Sequence, residues 1–225
     1  MTAQQLASMI EHTLLRPDAV SGDYERLCQE ALEYRFYGVC VPPSRVSLAR
    51  ALLAGSGVRV VTVVGFPLGF QSTRIKLFEA EDALLDGAQE LDVVMNIGAL
   101  KEGRYQDVER EIREIVSLCE GIKPERPLVK VIIETCYLTD AEKLLAVRLI
   151  SEAGADFVKT STGFGKGGAT VEDVALLKRA AKERLGIKAS GGIRTREQAL
   201  ALVAAGAQRL GTSRGPDLVD DARGA

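Results

Sequence analysis

Two lysines, Lys159 in DFVKTSTGFG and Lys188 in GIKASGGIRT, each close a short apolar run and precede a loop of Gly, Ser and Thr. If those runs are neighbouring parallel strands, the two side chains start about one strand spacing apart, ~4.8 Å. Crowding and burial both disfavour a charged ammonium, so at least one of the pair should lose its proton near neutrality. A neutral amine can attack a carbonyl carbon and form a Schiff base. Either lysine alone could equally pair with a carboxylate or reach out to solvent. Two at adjoining strand ends favour chemistry at one of them.

A third lysine, Lys130 in PLVKVIIET, has four more strand residues after it before Thr135 and so lies deeper. Its expected role is to partner a buried acid, with Asp92 in ELDVVMN the leading choice. By strand alternation Asp92 shares a side with Val94 and Asn96. Buried aspartates are uncommon without a job or a partner. Proton transfer during carbon–carbon bond making and a structural ion pair with Lys130 are both open for it. An anion grip is expected in the glycine loops: Gly191-Gly192, Gly211-Thr212-Ser213, and the stretch from Gly163 to Gly168. Candidate phosphate-binding residues are Gly163, Gly191, Gly192 and Ser213. Glu11, Thr13, Cys40 and Thr160, near strand ends, are candidate pocket residues. His12 is read as a structural hydrogen-bonder, and Cys40 and Cys136 as small core residues first.

The elements that must carry these residues alternate along the whole chain. Apolar runs at His12–Leu15, Gly38–Val41, Val60–Val64, Glu90–Met95, Leu128–Glu134, Phe157–Thr160, Ile187–Ala189 and Arg209–Thr212 read as eight strands. Runs such as VVTVV and VKVII suit parallel strands covered on both faces. Between them lie helical patterns. Ser72 to Gly87 carries Ile75, Leu77, Phe78, Ala80, Leu84 and Leu85 among charges, and Asp107 to Cys119 carries Val108, Ile112, Ile115, Val116 and Cys119 at three- and four-residue spacing. Thr139, Thr170 and Thr195 begin capping signatures. LLDGAQELDVV, SEAGADFVK and VAAGAQRLG repeat one helix-to-strand joint with Gly just past the helix. Eight such units in 225 residues predict an α/β protein: a single (β/α)8 TIM barrel over residues 1–225 with an extra N-terminal helix, its site at the carboxyl ends of the strands. No GxGxxG follows the first strand, which counts against an open nucleotide-binding sheet. Residues from about 216 to 225 read as a flexible polar tail.

Bulk composition narrows the partners. Lys plus Arg total 29 and Asp plus Glu 31, a formal net charge of −2, so there is no general pull toward nucleic acid or membrane. The N-terminus lacks the basic start and apolar run of a signal peptide, and no stretch approaches the roughly 18 apolar residues of a membrane span. The four cysteines, Cys28, Cys40, Cys119 and Cys136, form no CxxC pair, which suits a reduced cytoplasmic setting. With one histidine, a zinc site of two or three imidazoles is disfavoured; the count leaves an all-carboxylate magnesium site open, and the expectation is no metal and no cofactor.

The motifs IEHTLL, VCVPPSRV, VVGFPLG, ELDVVMNIGALKEG, LVKVIIET, GADFVKTSTGFG, IKASGGIRT and RLGTSRG, in that order over nearly the whole chain, resemble the deoxyribose-phosphate aldolase family. VKTSTGF and KASGGIRT are the most specific of them. The resemblance implies a metal-free class I aldolase that reversibly cleaves 2-deoxy-D-ribose 5-phosphate to acetaldehyde and D-glyceraldehyde 3-phosphate. It implies that Lys159 forms the Schiff base, that Lys188 lowers its pKa, that Asp92 joins a proton relay, and that Gly191, Gly192 and Ser213 hold phosphate. Relatives are often dimers or tetramers, so a homo-oligomer is expected. The chain departs from the family pattern at Glu11, where Asp is usual, at Arg16, where Lys is common, at Lys166, where a small residue is usual, and at Arg214, where a second Ser often stands. Glu11 and Arg16 bear on the acid set; Lys166 and Arg214 bear on the anion grip. The competing readings are another lysine-dependent aldolase or transaldolase, and a non-catalytic phosphate-binding regulatory barrel. Retention of Lys159, Lys188 and Asp92 together argues against the last.

Overall fold

The computed structural model describes residues 1–123 and 125–220. Eight parallel strands close into a barrel in sequence order: β1 (Ile10–Thr13), β2 (Gly38–Val41), β3 (Arg59–Val64), β4 (Glu90–Val94), β5 (Leu128–Ile132), β6 (Phe157–Lys159), β7 (Gly186–Ser190) and β8 (Arg209–Thr212). Ile10 opposite Leu210 joins the last strand to the first. The (β/α)8 expectation holds, and so does the extra helix, α1 (Ala3–Ala7), capped at both ends of its first turn by Thr2 and Gln5. β1 begins two residues earlier than the apolar run indicates, because it must pair with both β2 and β8 and that ladder is centred on Glu11 and His12.

The connecting helices are α2 (Ser21–Tyr34), α3 (Val46–Leu52), α4 (Thr73–Leu85), α5 (Ile97–Lys101), α6 (Tyr105–Glu120), α7 (Asp140–Glu152), α8 (Val171–Ala181), α9 (Arg196–Ala204) and α10 (Gly215–Asp220). Thr139, Thr170 and Thr195 cap α7, α8 and α9 with their side-chain oxygens. Gly87, Gly154 and Gly206, the glycines of the repeated joint, have φ of 102°, 85° and 119°. An L side chain is strained there, which is why the joint recurs with Gly. α6 buries Val108, Ile112, Ile115, Val116 and Cys119, as its spacing predicts.

Two expectations are corrected. Residues 216–220 are not a loose tail: they lie in α10, with Leu218 and Val219 buried and Arg196 donating to the Leu218 carbonyl at 3.2 Å. Residues 221–225 fall outside those described. In α4 the buried side chains are Lys76, Ala80 and Ala83, while Ile75, Phe78 and Leu85 are exposed. Lys76 is drawn in by a 2.5 Å ion pair to Glu111 and a 2.8 Å hydrogen bond to the Val94 carbonyl.

The apolar core is a sleeve between the outer faces of the strands and the helices. A second, small apolar cluster of Cys40, Val61 and Val63 lies apart from it, with Leu15 and Phe66 packed against it. The inward layer also carries the buried charged residues Glu11, Glu90, Asp92, Lys130, Lys159 and Lys188.

Candidate active site

Lys159 and Lys188 are register partners on β6 and β7, so the predicted neighbourhood is real. Asp92 and Lys130 are register partners on β4 and β5. Their side chains converge with Glu11 and Glu90 inside the barrel, and all six residues are at most 3% exposed. Asp92 is the hub. Its Oδ2 accepts from Lys159 Nζ at 2.7 Å and from Lys188 Nζ at 2.6 Å, and its Oδ1 accepts from Lys130 Nζ at 3.0 Å. Lys188 also bonds to Glu11. Lys130 lies 2.5 Å from Glu90 and 3.5 Å from Glu11. Both sequence readings of Asp92 thus describe the same contacts: it pairs with Lys130 and touches both crowded amines.

Three lysines meet three carboxylates, which is how six ionisable groups tolerate burial. The compensation is uneven. Lys159 has a pKa below that of an ordinary lysine: burial lowers it most, Asp92 opposes this, and Lys188 lowers it further. For Lys188 burial again acts downward, but Asp92 and Glu11 outweigh it and the pKa is raised. Lys130 is held well above the ordinary value, because Asp92, Glu11 and Glu90 together exceed the cost of its burial. Asp92 is held well below the carboxylate range by the three lysines, against its own burial. The two crowded amines therefore separate into one whose pKa falls and one whose pKa rises. The Cys40 thiol, pushed up to about 11 chiefly by burial, stays protonated.

A cavity of about 360 Å³ opens above this cluster at the carboxyl ends of the strands. Lys159 lines it; Lys188, Lys130 and Asp92 lie beneath. Its walls include Thr13, Thr162, Gly163, Gly191, Gly192, Thr212 and Ser213, and Arg16, Arg194 and Arg214 add positive charge. All four predicted anion-binding residues therefore line one cavity. Of the four pocket candidates, Thr13 lines the cavity. Glu11 supports Lys188 from below, and Cys40 packs with Val61 and Val63. Thr160 is turned into the joint between β6 and β7, donating to the Ser190 carbonyl at 3.2 Å and accepting from the Ser190 N–H at 3.1 Å. Arg214 pairs with Asp217 at 3.2 Å, Arg16 with Asp18 and Asp23, and Lys166 lies over the Tyr137 ring at 5.3 Å. His12 bonds to Glu30 at 2.7 Å, in keeping with a structural role. Asn96 lies past β4 and caps α5 through Ala99.

Sequence reasoning missed Glu90, Glu134 and Arg194. Glu90 was within reach: alternation back from Asp92 places it on the same inward face. Among the described residues, no group of three or more His, Cys, Asp or Glu side chains is placed to hold a metal ion. Among those residues, too, no helix is long and apolar enough to cross a membrane.

The family model described as DeoC/LacD family aldolase matches residues 6–216. The chain belongs to that family. It is 55% identical over 229 residues to a deoxyribose-phosphate aldolase of Thermococcus gammatolerans, an alignment that covers the whole of both chains. A deoxyribose-phosphate aldolase of Carboxydothermus hydrogenoformans is 55% identical over 97% of this chain and 96% of its own. The tetrameric deoxyribose phosphate aldolase of Aeropyrum pernix superposes with a TM-score of 0.92 at 37% identity, covering 99% of this chain and 92% of that one.

Proposed function

We propose that this chain is a carbon–carbon lyase of deoxyribose phosphate catabolism. It cleaves 2-deoxy-D-ribose 5-phosphate reversibly to D-glyceraldehyde 3-phosphate and acetaldehyde, with Lys159 as Schiff-base nucleophile and no cofactor. The observation that carries this reading is that Lys159, the one amine of the cluster whose pKa falls, also lines the cavity.

The open-chain sugar presents its C1 aldehyde to the neutral Lys159 amine. Addition gives a carbinolamine, and loss of water gives a protonated imine. A base takes the proton from the C3 hydroxyl, the C2–C3 bond breaks, and its electrons pass into the imine as an enamine. D-glyceraldehyde 3-phosphate departs. The enamine takes a proton at C2, and water hydrolyses the resulting imine to acetaldehyde and free Lys159. The proton removed at C3 balances the one added at C2. Asp92, touching both amines, serves in this relay, and the cation of Lys188 disfavours a second charge on Lys159. The walls formed by Gly163, Gly191, Gly192 and Ser213, ringed by three arginines, suit the 5-phosphate. Thr13 contacts the sugar, and Glu11, Cys40 and Thr160 shape the floor.

Borohydride added with acetaldehyde should leave a reduced adduct on Lys159, located by peptide mass spectrometry, and EDTA should leave turnover intact. An adduct on Lys130 would overturn the assignment of the nucleophile. No adduct, with phosphate sugars still bound, would favour a regulatory barrel. The tetrameric relative supports a homo-oligomer here, dimer or tetramer. The four free cysteines support a cytoplasmic setting.

A further inference from the structure

Glu134 lies just past β5 and carries two unfavourable features at once. Its backbone is left-handed, at φ 51° and ψ 69°, where a residue with a Cβ is strained. Its side chain is 2% exposed, and a buried polar group is costly unless its hydrogen bonds are made. Combinations of this kind persist where the surroundings hold them for a purpose.

What the carboxylate holds is one loop. Among the described residues, the hydrogen bonds it accepts all come from Thr162. The Thr162 N–H lies 3.3 and 3.2 Å from its two oxygens, and the Thr162 hydroxyl donates to Oε2. The Thr162 oxygen in turn accepts the Phe164 N–H at 3.0 Å. The N–H groups of residues 162 and 164 are thereby occupied. The Gly163 N–H between them has no partner among the described residues, while Thr162, Gly163 and Phe164 all line the cavity. The loop is also pressed onto the β7–α9 glycines. Ala169 donates to the Gly191 carbonyl at 3.0 Å, and a Cβ on Gly168 would come within 2.2 Å of that oxygen. A Cβ on Gly165 would stand 3.0 Å from the Glu134 carboxyl carbon. Fixing Thr162 therefore fixes the wall that faces Gly191 and Gly192.

We propose that Glu134 is a positioning residue that confers preference for phosphorylated substrates, by locking Thr162 so that the Gly163 N–H is presented to the phosphate. This rests on the phosphate site assigned above. Glu134 touches neither Lys159 nor the reacting carbons in this scheme, so its loss should weaken binding of the phosphate end and spare the chemistry.

The test compares kinetics on 2-deoxyribose 5-phosphate and on unphosphorylated 2-deoxyribose for the wild type, Glu134→Ala, Glu134→Gln and Thr162→Val. Glu134→Ala should raise KM for the phosphorylated sugar about tenfold or more with kcat within about threefold, and leave kcat/KM for the plain sugar within about threefold. Glu134→Gln, which keeps one acceptor for the Thr162 N–H, should recover part of the loss, and Thr162→Val should fall in the same direction. If the alanine variant does not fold, the other two carry the comparison. Equal losses on both substrates, or an undiminished phosphate preference in all three variants, would overturn the role of Glu134 alone. A wild type with no preference for the phosphorylated sugar would overturn the phosphate site itself, and this inference with it.

Discussion

Leu91 and Asp92 are adjacent on β4, both at 0% exposure, and they point into different surroundings. Leu91 enters the sleeve of Val, Leu, Ile and Ala side chains between strands and helices. Asp92 enters the barrel, where it meets three lysines. The sleeve stabilises by removing apolar surface from water, roughly 1.5–3 kcal/mol for a fully buried leucine. The interior achieves no such gain, since desolvating ions offsets much of their attraction. The same strands thus carry stability on one face and chemistry on the other. The division follows from the two-residue period of the strand.

Three substitutions test that division, in falling order of expected effect. Lys188→Leu should cut kcat/KM on the folded enzyme by about 10²- to 10⁴-fold, the usual range for losing a positioned proton-transfer or charge-tuning group. Lys159 acts as the neutral amine, so activity rises as pH passes its pKa. Losing the adjacent cation, and leaving Asp92 with one ammonium fewer, raises that pKa, so the rising limb of the pH–rate profile should move to higher pH. An unmoved limb would refute the role of Lys188. Leu91→Ala should do the reverse: a loss of about 2–5 kcal/mol in denaturant unfolding, with kcat per folded molecule and the pH profile unchanged. A shifted profile there would show that sleeve and interior are coupled. Glu11→Asp should have the smallest effect. The shorter acid loosens one support of Lys188 while Asp92 keeps the other at 2.6 Å, so kcat should change by less than about tenfold. A larger fall in steady-state turnover would make Glu11 a partner equal to Asp92.

The contrast also explains what could be read from the residues and what could not. Strand-length apolar runs, threonine caps and three recurring Gly joints are local signals, and they produced the barrel, its site end and the neighbouring lysines. Lys159, Lys188 and Asp92 stood out because charge inside an apolar run is expensive to bury. Glu90 is legible only when alternation is carried back along the strand from Asp92. Glu134 was hidden because neither its left-handed backbone nor its attachment to Thr162 leaves any mark in composition or period. α4 misleads in the opposite sense. Its apolar residues suggest a buried face, yet Lys76 goes in and Phe78 stays out at 72% exposure, since Glu111 on α6 and the Val94 carbonyl pay for the lysine.

From its order of residue types alone, this protein was bound to alternate strand and helix, to cap those helices, and to deliver two lysines to adjoining strand ends. Those outcomes depend on interactions within a few residues or on one strand period. Which amine has its pKa lowered and which raised was decided only when the barrel closed, because that balance depends on Glu11 from β1, Asp92 from β4 and Lys130 from β5 arriving at a common centre. Electrostatic energy is set by distance through space and by burial away from solvent, and neither exists until distant segments have packed.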